Sequence, residues 1–340
     1  MGLLDMIGHR LRDRSIFLIG SAVAVLISAC SGTSGHDATS TGPASPTATT
    51  SLRSQPDRAG PVDIGSGRAI YLECQGTGSP TVVLVSGFGD NAEVWNTSPT
   101  DGSSTASAVT SPVRAEPVTV FRGIGEFTRV CAYDRPGTSD SRSTEVPQPT
   151  SAQTSADDLA KLLGAAGEAE PYILVGHSYG GPIVRIFAGE HPDEVGGLVL
   201  VDGLSEDLED GLTADQTAIF HTLNTPPPRP GAETVDFTAV ATQVRQATAA
   251  PDVPVTVLTA DIPQLTPEAL ASGQLPPGVD QTFADALWAA QLAAQNSMAA
   301  KFPGAVHITD THSDHYIQLG NPQLVIDSIH DVVDVARNAK

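Results

Sequence analysis

The apolar run Pro171-Tyr172-Ile173-Leu174-Val175 passes directly into Gly176-His177-Ser178-Tyr179-Gly180. Gly181 to Glu190 then carries Ile183, Val184, Ile186 and Phe187 at helical spacing. The first segment reads as a buried strand and the last as a helix with one apolar face. A chain that goes from strand to helix this abruptly must hold the central serine in a strained backbone conformation. The flanking glycines remove side chains that would collide there. In a chain with 32 glycines the bare Gly-x-Ser-x-Gly pattern is weak. With strand before and helix after, it is a nucleophile elbow with Ser178 at its tip.

The N-terminus is a leader rather than part of the fold. Arg10, Arg12 and Arg14 precede an apolar run of 14 residues, Ile16 to Ala29. That length suits a signal-peptide core better than a membrane span. Leu26-Ile27-Ser28-Ala29-Cys30 resembles the bacterial lipoprotein processing site, which implies lipidation of Cys30 and an anchor at the outer face of a membrane. Without lipidation the product would be secreted. Residues 30–60 are rich in Ser, Thr, Pro and Gly, too poor in apolar surface to order themselves, and are expected to be a disordered tether. About 280 residues remain from position 61, enough for one sizeable α/β domain. A net charge of −21 argues against nucleic acid as a partner.

Along the domain, strands are expected at Val62–Ile64 and Ile70–Cys74 (a hairpin across Gly65-Ser66-Gly67), and at Thr81–Val85 and Arg129–Tyr133. A helix containing Leu159, Leu162 and Leu163 leads to the elbow strand. Further strands follow at Leu198–Val201, Val255–Thr259 and Val306–Thr309, with a last helix from Pro322 to Arg337. Strands alternating with helices imply a mostly parallel sheet covered on both faces. Asn96–Val118 reads as a surface insertion. Residues 203–252 are far longer than an ordinary connection and are expected to be a lid.

From about residue 61 onward the chain resembles the α/β-hydrolase superfamily. The resemblance rests on the loop Ser86-Gly87-Phe88-Gly89, the turn Tyr133-Asp134-Arg135-Pro136-Gly137, the elbow around Ser178, and His315-Tyr316-Ile317-Gln318 ahead of Pro322. It implies a Ser-His-Asp triad, because a serine hydroxyl needs an adjacent base at neutral pH. Position favours His315 as that base over His312, while His177 is expected to diverge from the reaction. The acid stays open between Asp202, which ends the strand after the elbow, and Asp261, which ends the next. Asp202 is preferred because Asp261 follows its strand too closely. The resemblance further implies an oxyanion hole from the backbone N–H groups of Phe88 and Tyr179. Asp134, Arg135 and Trp95 read as loop-packing residues. In this fold the strands of Cys74 and Cys131 are neighbours, so a disulfide is expected, which an exported compartment permits.

The function so implied is a serine hydrolase of carboxylic esters, esterase- or lipase-like, acting on a small-molecule or lipid ester. It needs no cofactor, and no histidines sit at metal-binding spacing. The alternatives are a binding lipoprotein that kept the fold without turnover, or an amidase or haloperoxidase-like activity of the same triad.

Overall fold

The structure, a computed structural model, describes residues 56–98, 118–225 and 229–338. The expected leader, Cys30, most of the expected tether and most of the Asn96–Val118 segment lie outside the described residues.

Eight strands form one sheet: β1 (Arg58–Gly65), β2 (Arg68–Gln75), β3 (Thr81–Val85), β4 (Val130–Tyr133), β5 (Tyr172–His177), β6 (Val195–Val201), β7 (Val255–Leu258) and β8 (Val306–Ile308). Their order is β1-β2-β4-β3-β5-β6-β7-β8. β1 and β2 form the expected hairpin, β2 runs antiparallel to β4, and every pairing from β4 to β8 is parallel. β1 begins at Arg58, so the folded unit starts ahead of residue 61. An edge strand of a hairpin is held by backbone pairing, here from Arg58 opposite Cys74, and needs little apolar surface of its own.

Successive residues of the central strands feed opposite faces of the sheet. Val83, Leu174 and Leu200 enter one core, while Leu84, Val175 and Val201 enter the other. The first core is covered by α2 (Ala152–Ala166) and α3 (Gly180–Glu190). The second is covered by α1 (Val120–Gly125) and the last helix, labelled α9 (Pro322–Asn338). Burial on both faces explains why these strands read as unbroken apolar runs. Local chemistry sets the ends of α2: the Ser151 side chain accepts from Thr154 N–H, and Gly167 stops the helix at a left-handed φ of 69°.

Two insertions interrupt the alternation at the C-terminal end of the sheet. Residues 203–252 carry α4 (Ala214–Leu223) and α5 (Phe237–Gln246). The connection from β7 to β8 carries α6 (Pro267–Ala271) and α7 (Gln281–Ala300), of which sequence periodicity gave no notice. The short α8 (Ile317–Gly320) precedes α9.

Cys74 and Cys131 face each other across β2 and β4 and form a disulfide. It closes a span of 57 residues, a long constraint on the unfolded chain. Replacing both by alanine is expected to lower the unfolding free energy by about 2–4 kcal/mol. Urea melts of the oxidised wild type and the double variant measure this.

Candidate active site

The bend at Ser178 is built as its sequence demands. Ser178 sits at φ 50°, a left-handed conformation that costs a non-glycine residue energy. Its N–H donates to Val201 O at 3.2 Å, and its carbonyl accepts from Gly181 N–H at 2.9 Å and Leu204 N–H at 2.8 Å. A Cβ on Gly176 would lie 2.7 Å from the Gly180 backbone, and one on Gly180 would run into the Val85 carbonyl. Both glycines are therefore steric requirements. Gly87 is a third: its Cβ would stand 2.8 Å from His177 Nδ1 and 3.1 Å from Ser178 Cβ.

His315 enters from the loop after β8 and is largely buried. Its Nδ1 lies 2.6 Å from Asp202 Oδ2. A carboxylate accepts, so Nδ1 carries a proton, and in the neutral ring Nε2 is the basic nitrogen. Asp202, fully buried at the end of β6, also accepts from Ala260 N–H at 3.1 Å and from Gln291 Nε2 at 2.7 Å. Its backbone is itself at a positive φ of 41°, with its N–H on Leu258 O. Strand β7 thus supplies the backbone that holds a carboxylate from β6.

Asp261 does not reach the histidine. It accepts from Ser313 N–H at 2.9 Å, His312 N–H at 3.1 Å and Thr311 Oγ1 at 3.3 Å. Burial works against its charge, but these donors prevail and hold its carboxyl below the usual range. Asp261 ties down the loop that carries His315. The His312 side chain is 75% exposed, near Asp310 and Asp261, away from the cavity.

The expectation that His177 diverges from the cleft holds, but it did not foresee where the ring packs. His177 does not line the cavity, but its ring is fully buried against His315, with centroids 4.7 Å apart, and Nε2–H donates to the His315 carbonyl at 3.0 Å. Burial, and then the neighbouring imidazole, hold it well below the ordinary histidine range, so it is a neutral support under His315. The adjacency of positions 177 and 178 gave no hint of this contact, which depends on the fold bringing residue 315 beside residue 177. Trp95 donates from Nε1 to Ser86 Oγ at 3.1 Å, and Asp134 holds Ala92 N–H and Arg142, so both pack loops.

Ser178, His315, Asp202 and Phe88 line one cleft, open to solvent at its mouth. Tyr179 is buried beneath it at the start of α3, where the first N–H groups have no acceptor within the helix. The rest of the wall comes from the two insertions: Leu208, Phe220 and Phe237 from the first, Leu287, Trp288 and Gln291 from the second. Gln291 was missed by sequence reasoning, because a glutamine on an alanine-rich helix carries no signal of its destination.

The profile of the alpha/beta hydrolase fold matches residues 80–322. The chain belongs to this family. RutD of Caulobacter segnis, provisionally named a carbamate hydrolase, is 30% identical over 128 residues, covering 38% of this chain and 39% of that protein. An uncharacterized protein of Schizosaccharomyces pombe is 40% identical over 84 residues, 24% of this chain and 15% of its own length. The chain thus spans well under half the length of these curated relatives. Among solved structures, Cfl2 of Burkholderia cenocepacia shares 17% identity over 80% of this chain and 94% of its own, with a TM-score of 0.51. That likeness concerns the fold.

The two carboxylates should separate cleanly on substitution. Asp202→Asn is expected to cut hydrolytic turnover by about 10⁴-fold, as loss of the acid does in a serine triad. Asp261→Asn should cost less than about tenfold and lower stability instead, by about 1 kcal/mol for weakened, partly exposed hydrogen bonds. Steady-state kinetics with thermal melts on both variants distinguish these outcomes.

Proposed function

We propose that this member of a hydrolase family is a serine hydrolase that cleaves carboxylic esters through an acyl-enzyme on Ser178. The observation that carries the proposal is the 2.6 Å contact of His315 Nδ1 with Asp202, beside a cleft that Ser178 shares. With Nδ1–H committed to the carboxylate, Nε2 of His315 serves as the base. It takes the Ser178 proton as Oγ attacks the ester carbonyl, and Asp202 stabilises the imidazolium that forms. The backbone N–H groups of Phe88 and Tyr179 receive the developing oxyanion. Collapse expels the alcohol, which leaves with the proton from Nε2. His315 then activates water against the acyl-enzyme, and the acid product departs with Ser178 restored.

The wall of the cleft favours an apolar acyl or alcohol group. Phe88, Leu208, Phe220, Phe237, Leu287 and Trp288 line it, and the side chains from its insertions carry no formal charge at these positions. The lipoprotein-like leader supports action at the outer face of a membrane, on substrates of the envelope or beyond it. No described helix is long and apolar enough to cross a membrane.

A fluorophosphonate probe should label the wild type stoichiometrically and Ser178→Ala not at all. Folded protein that resists the probe would mean a binding protein without turnover. p-Nitrophenyl esters of graded chain length, run beside the matching anilides, separate esterase from amidase; faster anilide turnover would displace the ester reading. For the anchor, radiolabelled palmitate fed to expressing bacteria should enter the wild type and not Cys30→Ala.

A further inference from the structure

The loop Ser86-Gly87-Phe88-Gly89 is gripped from behind by a buried ion pair. Arg135 and Glu233 side chains are 3% and 1% exposed. Arg135 Nε donates to Glu233 Oε1 at 2.8 Å and Nη2 to Oε2 at 3.1 Å. Two more guanidinium hydrogens go to loop carbonyls: Nη1 to Ser86 O at 2.7 Å and Nη2 to Gly87 O at 2.5 Å. Glu233 Oε2 completes the ring by accepting from Gly89 N–H at 2.7 Å.

The Gly87 carbonyl and the Phe88 N–H are opposite ends of one planar trans peptide. Holding that carbonyl against Arg135 therefore fixes the N–H on the far side of the peptide, away from the ion pair. If the unit turned over, its carbonyl oxygen would take the place of the N–H and repel a developing oxyanion. Engagement of Gly89 N–H by Glu233 holds the next peptide as well. A buried charge pair of this kind is seldom a stability device, since apolar residues of similar volume often serve as well or better. Its bonds to three consecutive peptide units of one loop call for another explanation. Glu233 belongs to the inserted segment 203–252, where its own N–H donates to Gly137 O at 2.7 Å.

We infer that Glu233, acting through Arg135, is a positioning residue that sets the orientation of the Gly87–Phe88 peptide and so forms half of the oxyanion hole. The inference rests on the serine hydrolase reading. It makes the insertion a structural part of transition-state stabilisation as well as a wall of the cleft.

The test uses Glu233→Gln, an isosteric loss of charge, and the double variant Arg135→Met/Glu233→Met, which leaves no unpaired buried charge. In both, kcat on p-nitrophenyl butyrate should fall about 10²-fold or more, the usual cost of one oxyanion donor, with KM within about threefold. Affinity for a trifluoromethyl ketone, which forms the tetrahedral adduct, should fall in step with kcat. Hydrogen exchange at Gly89 N–H should quicken. A double variant with native circular dichroism that keeps wild-type kcat and ketone affinity overturns the inference while leaving the hydrolase intact. A wild type that neither turns over esters nor takes the fluorophosphonate overturns both.

Discussion

The bend between β5 and α3 governs the geometry around it. Ser178 can hold its left-handed backbone only because Gly176 and Gly180 let strand and helix nearly touch. The same closeness presses Gly180 onto the Val85 carbonyl, so the end of β3 and the loop that follows it are fixed relative to the serine. The serine carbonyl reaches Leu204 N–H beyond β6, which fixes the root of the first insertion. One steric constraint therefore positions Ser178, the proposed nucleophile, with the loop carrying Phe88 and the residues flanking Asp202.

What was legible in the sequence follows from this. The parallel strands could be read because burial on both faces makes them continuous apolar runs, and the elbow because its glycines are steric necessities. Chain order left His312 and His315 after the last strand, and His315 was preferred for its place before the final helix and for the family resemblance of the Tyr316-Ile317-Gln318 segment that follows it. The acid could only be narrowed to two, because β6 and β7 are paired and either strand end lies near the histidine loop. The geometry separates them by hydrogen bonding: Asp202 meets the imidazole, whereas Asp261 meets backbone N–H groups of the loop. His177, Gln291 and Glu233 were not legible in these roles. Each acts through a contact between residues 89 or more positions apart, and none sits in a local pattern that announces it. Helix α7 also escaped notice because its alanine-rich sequence lacks a sharp apolar stripe.

The polar groups at the site are arranged in tiers. His315 is held at Nδ1 by Asp202, at its carbonyl by His177 and through its loop by Asp261. Such support matters because triad catalysis depends on geometry held within a fraction of an ångström. A neutral His177 suits its position: a second positive charge stacked on His315 would oppose formation of the imidazolium in the proposed mechanism.

Placing the proposed acid, Asp202, at the end of β6 buries a carboxylate that the insertions help to satisfy. A carboxylate there opens the first insertion, and Gln291 from the second insertion supplies one of its donors. Glu233 from the first insertion grips the loop across the cleft. The segments that shape the substrate's surroundings are thus bonded to the groups proposed to act on it. In such an arrangement, reshaping the cleft by altering either insertion also disturbs an orienting contact. Changes in specificity should therefore come more readily from apolar wall positions such as Leu208, Phe220 and Leu287 than from changes in insertion length. Those side chains meet the cleft without any bond to Asp202, His315 or the Phe88 loop.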